Sequence, residues 1–242
     1  MLKIKDYTKI YKGGIKAVDN LTLSVLPGDI YGFIGHNGAG KTTTLKAIAG
    51  ILDFEQGEIL VDGISIKKDP VACKHKLAYI PDNPDLYEHL TGSQYINFIA
   101  DVYGVSQSER DMLINKYSDI FNMTDNLEDL ISSYSHGMKQ KTAIIAALVH
   151  KPKLFILDEP FVGLDPKASH DLRRFFSDLC EEGSAIIFST HVLEVAEKFC
   201  NKIGIIQNGK LVADGPNKEI VGDKSLEDVF LNLDESKEDT EP

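Results

Sequence analysis

The segment Gly35-His36-Asn37-Gly38-Ala39-Gly40-Lys41-Thr42 decides how the rest of the chain is read. It fits the pattern G-x-x-x-x-G-K-[ST], in which glycines let the backbone bend until consecutive N–H groups point inward at phosphate oxygens. The pattern carries meaning only between a strand and a helix, and both are expected here. Ile30 to Ile34 is an apolar run set off by the turn residues Pro27-Gly28-Asp29. From 42 to 52, Leu45, Ile48, Ala49 and Leu52 recur at helical spacing, with Gly50 as the weak point. Lys41 then neutralises the β- and γ-phosphates, Thr42 offers a hydroxyl to Mg²⁺ with Thr43 beside it, and the helix N-terminus favours a bound anion.

A second constellation lies further along. Leu154-Phe155-Ile156-Leu157-Asp158-Glu159 reads as an apolar strand that delivers two carboxylates at its C-terminal end, where open α/β sheets bind ligands. Asp158 can hold Mg²⁺ through its water shell. Glu159, sent to the opposite side of the strand by the period of two, can polarise an attacking water. Two acidic residues after a strand are also a common polar exit, but beside a phosphate loop they point to a nucleotide hydrolase.

Around these motifs the chain alternates strands with helices. The runs 154–157, 185–188 and 203–206 suit strands buried on both faces, and a helix rich in Leu172, Phe175, Phe176 and Leu179 separates the first two. That alternation implies a parallel α/β core. Before the loop, Leu21, Leu23 and Val25 alternate with polar residues as in a half-buried strand. Val61-Asp62-Gly63-Ile64 and Gln207-Asn208-Gly209-Lys210 each place a two-residue turn between β-formers, and both hairpins are expected in an antiparallel side sheet. From about 84 to 150 the pattern turns helical, with Tyr95, Ile96, Phe98, Ile99, Val102, Tyr103, Met112, Leu113, Tyr117, Ile120 and Phe121, which predicts an inserted helical lobe. Its aromatic residues read either as core or as a docking surface. The globular domain is expected over 1–233, followed by an acidic, disordered tail over 234–242.

Charge and composition exclude several classes. Against 26 Lys+Arg stand 37 Asp+Glu, a net charge of −11, opposite in sign to the basic footprint of a nucleic-acid binder, so no nucleic-acid partner is expected. Cys73, Cys180 and Cys200 are too few and too scattered for a disulfide framework or a paired metal knuckle, which fits a reduced cytosolic setting. His75, His89, His150 and His170 show no zinc spacing. The first dozen residues lack the apolar region of about 7–15 residues that a signal peptide needs. The longest nearly apolar stretch, 143–149, falls far short of the roughly 20 residues that span a bilayer.

Tyr134-Ser135-His136-Gly137-Met138-Lys139-Gln140 resembles the signature motif of ATP-binding cassette proteins, and it follows a helical lobe as that family's motif does. Phe161-Val162-Gly163-Leu164-Asp165-Pro166 is similar to the family's D-loop, and Ser189-Thr190-His191 to its switch histidine segment. Tyr11 lies where an adenine-stacking aromatic is expected. The resemblance covers roughly residues 1–220 in the family's order. It implies a P-loop NTPase core with a parallel sheet, an antiparallel β side sheet and an inserted α-helical subdomain. It also implies two copies, or one copy and a homologous subunit, sandwiching two ATP molecules head to tail. By the same resemblance Ser135 and Gly137 of one subunit complete the γ-phosphate site of the other, Asp165 positions the facing loops, and His191 hydrogen-bonds the γ-phosphate and the attacking water. Ser135 is independently suited to cap the helix that begins near Gly137.

The departures matter too. His136 and Met138 stand where the commonest version of the signature has glycine and glutamine. In Tyr79-Ile80-Pro81-Asp82, Asp82 replaces the family's usual glutamine. It reads either as a charge near Mg²⁺, acting through water, or as a turn residue beside Asn83. An acidic residue here, and Leu226-Glu227-Asp228-Val229-Phe230 after the last strand, look similar to the drug, bacteriocin and lantibiotic exporter branch. The resemblance thus implies an ATP-hydrolysing subunit on the cytoplasmic face of the cell membrane, using Mg²⁺, that powers export through separate membrane-spanning subunits. The alternative is a soluble cassette ATPase with no transporter, as in iron–sulfur assembly or translation.

Overall fold

The computed structural model describes residues 1–238. Two antiparallel strands open the chain, β1 (Leu2–Ile10) and β2 (Lys16–Val25), and the expected alternation holds, with Leu21, Leu23 and Val25 buried between exposed neighbours. β3 (Ile30–Ile34) is buried throughout and leads through the glycine loop into α1 (Lys41–Ile48). The helix stops short of the expected residue 52. Gly50 adopts a left-handed φ of 64°, its N–H bonds to Ala47 O, and the Ile51 N–H bonds to Lys46 O, a closure that suits glycine and ends the helix. Next come β4 (Gln56–Val61), β5 (Ile64–Ser65), the short α2 (Pro70–Lys74) and β6 (Leu77–Ile80). The lobe follows as α3 (Gly92–Val102), α4 (Gln107–Ile120) and α5 (His136–Leu148), with two 3-10 turns at Thr124–Asn126 and Ile131–Ser133. Then β7 (Leu154–Asp158), α6 (Pro166–Glu181), β8 (Ala185–Thr190), α7 (Leu193–Phe199), β9 (Lys202–Gln207), β10 (Lys210–Pro216), α8 (Asn217–Val221) and α9 (Leu226–Glu238) complete the order.

Two sheets result. The side sheet runs β2-β1-β4-β5 and is antiparallel throughout, while the central sheet runs β10-β9-β3-β8-β7-β6. Within the latter β9, β3, β8, β7 and β6 are parallel, with Ile34 opposite Thr190 and Asp158 opposite Ser189. The C-terminal ends of β3, β8 and β7 therefore lie side by side, and whatever follows those strands meets at one edge. Both predicted hairpins form, each with two left-handed residues at its turn, Asp62-Gly63 and Asn208-Gly209. One placement needs correcting: only the first hairpin belongs to the side sheet. The second carries β10 onto the edge of the central sheet, because β9 is drawn into parallel register with β3 and its hairpin partner follows.

Strand alternation splits the core in two. Ile30, Ile34, Phe155, Leu157, Ile186 and Phe188 face the lobe, α6 and α7, whereas Tyr31, Phe33, Leu154, Ile156, Ala185 and Ile187 face α1 and the side sheet. Each fully buried side chain of this size contributes about 1.5–3 kcal/mol. The lobe shares the first of these clusters and has no separate core: Ile96, Ala100, Leu113, Tyr117 and Phe121 join it. The core reading holds for Tyr117 and Phe121, whereas Phe98 is exposed and packs edge-to-face on the exposed Tyr87, ring centroids 5.7 Å apart. α3 starts on a reciprocal cap, with the Gln94 N–H donating to Thr91 Oγ1 and the Thr91 N–H to Gln94 Oε1. At the other end of the chain, α9 continues through Glu238, five residues into the segment expected to be disordered from Asp234; the remaining 239–242 lie outside the described residues. Cys73, Cys180 and Cys200 are unbridged and buried. Burial pushes the Cys180 thiol up to about 12 and raises the other two as well.

Candidate nucleotide-binding and hydrolysis site

The loop between β3 and α1 is shaped by close backbone approach. A Cβ on Gly35 would stand 2.4 Å from Ile206 O, and Gly40, at φ 111°, leaves room for Ala17 O at a point where any Cβ would meet it at 2.6 Å. Gly40 is also the N-cap of α1 and brings no side chain to bond the helix's first N–H groups, which stay available to an anion. Lys41 turns back into the loop, where its Nζ donates to Gly35 O at 2.6 Å and His36 O at 3.2 Å. Burial lowers its pKa, and the negative charges of Glu159 and Asp158 oppose that shift. An ammonium held on two carbonyls is poised to exchange them for phosphate oxygens.

At the neighbouring strand end, Asp158 is buried and fixed by two hydroxyls: Ser189 Oγ donates to its Oδ1 at 2.5 Å and Thr42 Oγ1 at 3.1 Å. Glu159 corrects a sequence expectation. It does not continue the strand's alternation, because β7 ends at Asp158 and Glu159 takes a left-handed φ of 49°. Its N–H donates to Ser189 Oγ at 3.0 Å and to Ser189 O at 3.2 Å, which holds the turn. A non-glycine residue in that conformation is strained, and such strain clusters at functional sites. The turn aims the carboxylate into the same space as Asp158. One oxygen, Oε1, lies 2.9 Å from His191 Nδ1, and the other, Oε2, is buried with no hydrogen-bond partner among the described residues.

These groups line one cavity of about 450 Å³, bounded by His36, Lys41, Thr42, Asp82, Asp158 and Glu159 among others. Asn37, Gly38, Gly40 and Thr43 of the loop also border it, while Ala39 lies beneath them, buried. The donor set fits a nucleotide and its cation. Thr42 and Asp158 present two adjacent oxygens, and among the described residues no cluster of three or more acidic, His or Cys side chains could cage a metal alone. That is the arrangement for Mg²⁺, which keeps several waters and shares one or two protein oxygens with phosphates. Asp82 is exposed at the cavity wall with no hydrogen bond to a neighbour, so the side-chain-to-backbone bond of the turn reading is not made.

Other predicted residues lie outside the cavity. The Tyr11 hydroxyl is within 3.2 Å of Thr43 Oγ1, which sets the ring beside the start of α1, and the ring is 40% exposed. Ser135 caps α5, accepting from the Met138 N–H at 3.3 Å; it is exposed, Gly137 is half-buried, and neither lines the cavity of the phosphate loop. Asp165 caps α6 by accepting from the Ala168 N–H at 2.9 Å, a bond that lowers its pKa. The segment before it packs on the start of α5: Gly163 lies against the His136 ring and Gly137 against Leu164. The Gln140 amide donates to Pro160 O at 2.6 Å and ties the two segments further. Sequence reasoning gave no role to Ser189, which holds Asp158 and Glu159 together, or to Tyr79 and Lys46, which also line the cavity. Burial, with the charges of Asp158 and Asp82, raises the Tyr79 phenol pKa above its ordinary value. Tyr79 and Ser189 sit on segments whose apolar pattern hides a polar atom, and Lys46 is an exposed lysine of α1.

A phosphate loop and a paired carboxylate edge on a parallel sheet define a P-loop nucleotide-binding protein. The family model for ABC transporters matches residues 18–162. The ABC-type transporter ATP-binding protein EcsA of Bacillus subtilis (strain 168) is 35% identical over 244 residues, covering 99% of this chain and 98% of that protein. The linearmycin resistance ATP-binding protein LnrL of the same organism is 34% identical over 220 residues, covering 91% of this chain and 70% of that one. A solved ATP-binding subunit of an ABC transporter superposes with a TM-score of 0.91 at 33% identity, covering 97% of this chain and 99% of that one. The chain belongs to the ABC transporter family as an ATP-binding subunit, an ATPase that hydrolyses ATP for transport.

Proposed function

We propose that this subunit works in a pair, with two ATP molecules shared between facing copies, and that it powers export through separate membrane-spanning chains. The observation that carries the site assignment is the convergence of Lys41, Thr42, Asp158 and Glu159 on one cavity, with His191 bonded to Glu159. In that reading the loop N–H groups and Lys41 hold the phosphates, and Thr42 and Asp158 hold Mg²⁺. When bound, the cation neutralises charge on the β- and γ-phosphates. Glu159 accepts a proton from the attacking water, and the unpartnered Oε2 is the oxygen free to do so. His191 holds Oε1 and fixes the direction of the carboxylate. Tyr11 stacks on the adenine.

The pair is supported by where Ser135 and Gly137 lie. Ser135 is exposed and Gly137 half-buried, both outside the cavity of their own chain, at a capped helix N-terminus that suits phosphate from another subunit. No helix among the described residues is long and apolar enough to cross a membrane; membership in the ABC transporter family as an ATP-binding subunit is what supports membrane-spanning partners and a place on the cytoplasmic face of the membrane. Export is supported by likeness to a protein named for linearmycin resistance, since an ATP-binding protein that confers resistance fits outward pumping. Glu159→Gln is the test. It keeps shape and hydrogen bonding but removes basicity, so turnover falls about 10²–10⁴-fold while ATP still binds. In sedimentation, the same variant is monomeric without nucleotide, as the strong negative charge of the chain favours (−11 before this substitution removes one carboxylate), and dimeric with Mg-ATP. Near-normal turnover, or a dimer indifferent to ATP, overturns the respective part.

A further inference from the structure

Tyr79 lies on β6 in register with Ile156 of β7, one strand away from the phosphate loop's acidic edge. Its ring packs with the cluster on the α1 face of the sheet. The hydroxyl is buried and has no hydrogen-bond partner among the described residues, although it lies in the field of Asp158 and Asp82. Asp158 Oδ1 is already occupied by Thr42 and Ser189, and Asp82 takes no hydrogen bond among the described residues. A buried hydroxyl left unmatched costs free energy, and natural proteins rarely keep one without a use. Here the use is next to it, because Tyr79, Asp82, Thr42 and Asp158 line the same cavity.

We propose that Tyr79 is a positioning residue of the nucleotide site, its hydroxyl bridging the Asp82 carboxylate and a water in the shell of the nucleotide-bound Mg²⁺. The phenol donates its proton to Asp82 and accepts from the water, so that Asp82, too short for direct coordination, reaches the cation through one ordered side chain. The inference rests on the site assignment above. It assigns Tyr79 a function that a core residue would not have: the hydroxyl contributes only when cation and nucleotide are present.

Tyr79→Phe removes that hydroxyl and nothing else. In equilibrium ATP titrations across a Mg²⁺ series, the concentration of Mg²⁺ for half-maximal binding should rise about three- to tenfold, the range of one hydrogen bond. ATP binding in EDTA should stay as in the wild type, and the melting temperature of the nucleotide-free protein should hold or rise, because the hydroxyl removed is unmatched there. Asp82→Asn should raise the Mg²⁺ requirement similarly, and the double variant should be little worse than either, since both break one bridge. A wild-type Mg²⁺ requirement in Tyr79→Phe, additive effects in the double variant, or equal loss in EDTA with a lowered melting temperature would each overturn the proposal. If instead the wild type shows no Mg²⁺-dependent ATP binding, the site assignment itself has failed.

Discussion

The phosphate loop and the segment around Ser135 are both turns that open a helix, yet they end in opposite conditions. At Gly40 the helix begins with no side-chain cap, and Lys41 folds back onto the loop's own carbonyls, so the bare N–H groups face an open cavity lined by residues of this same chain. At Ser135 the hydroxyl already caps the helix, and the segment is braced from below by Gln140 and by the Gly163–His136 contact while its outer face is open. The first turn carries unmet demand inside its own chain. The second is rigid, satisfied and presented outward. Under the proposed pairing, the difference is that between two half-sites on one chain: one receives the ligand and the other is applied to it by the facing copy.

Three measurements sharpen this contrast. The largest effect belongs to the loop. Lys41→Ala removes a charge-assisted donor worth about 1.5–3 kcal/mol, so ATP affinity measured on the isolated subunit falls roughly 10- to 100-fold. Ser135→Ala should leave that monomer affinity untouched, although it loses a helix cap at a cost of about 0.5–2 kcal/mol, seen as a lower melting temperature. Its functional defect should appear only when two copies meet, as weaker Mg-ATP-driven dimerisation in a Glu159→Gln background. Loss of monomer ATP binding in Ser135→Ala would erase the distinction between the two turns.

The smallest effect concerns the far end of α5, where His150 stacks on Tyr103 at 3.7 Å and its Nε2 lies 3.2 Å from Leu77 O. Burial lowers the His150 pKa below its ordinary 6.5. The folded chain therefore resists a proton that the unfolded chain accepts, so this histidine's contribution is intact above the unfolded value and is lost as pH falls below it. Between pH 7.5 and 5.5, thermal unfolding should show a smaller loss for His150→Asn than for the wild type, by about 1 kcal/mol or less.

Much of this was legible because it is local. The phosphate loop announces its strand and helix within a dozen residues, the two turn pairs specify their hairpins, and Ser135 stands at a cap position three residues before the N–H it holds. What escaped depends on distant partners. Nothing within Gln207–Lys210 says that β9 will pair with β3, and so the second hairpin was assigned to the wrong sheet. Alternation predicted the side of the strand on which Glu159 falls, but two bonds to Ser189, thirty residues on, pull it out of the strand. Tyr79 and Ser189 sit in apolar runs, where pattern reading registers burial and is blind to one polar atom at the end of a ring or a short side chain.

The three sealed thiols have a practical consequence. Reaction with thiol reagents requires an accessible thiolate, and here every native cysteine is both enclosed and held in its protonated form. The folded protein should therefore react slowly with maleimides and mild oxidants, which a thiol titration with and without denaturant checks. A cysteine introduced by Ser132→Cys, at an exposed position three residues before the Ser135 cap, would be the lone labelled site on a dark background, and its dye could report the approach of a second subunit in real time without first stripping the chain of its own sulfur.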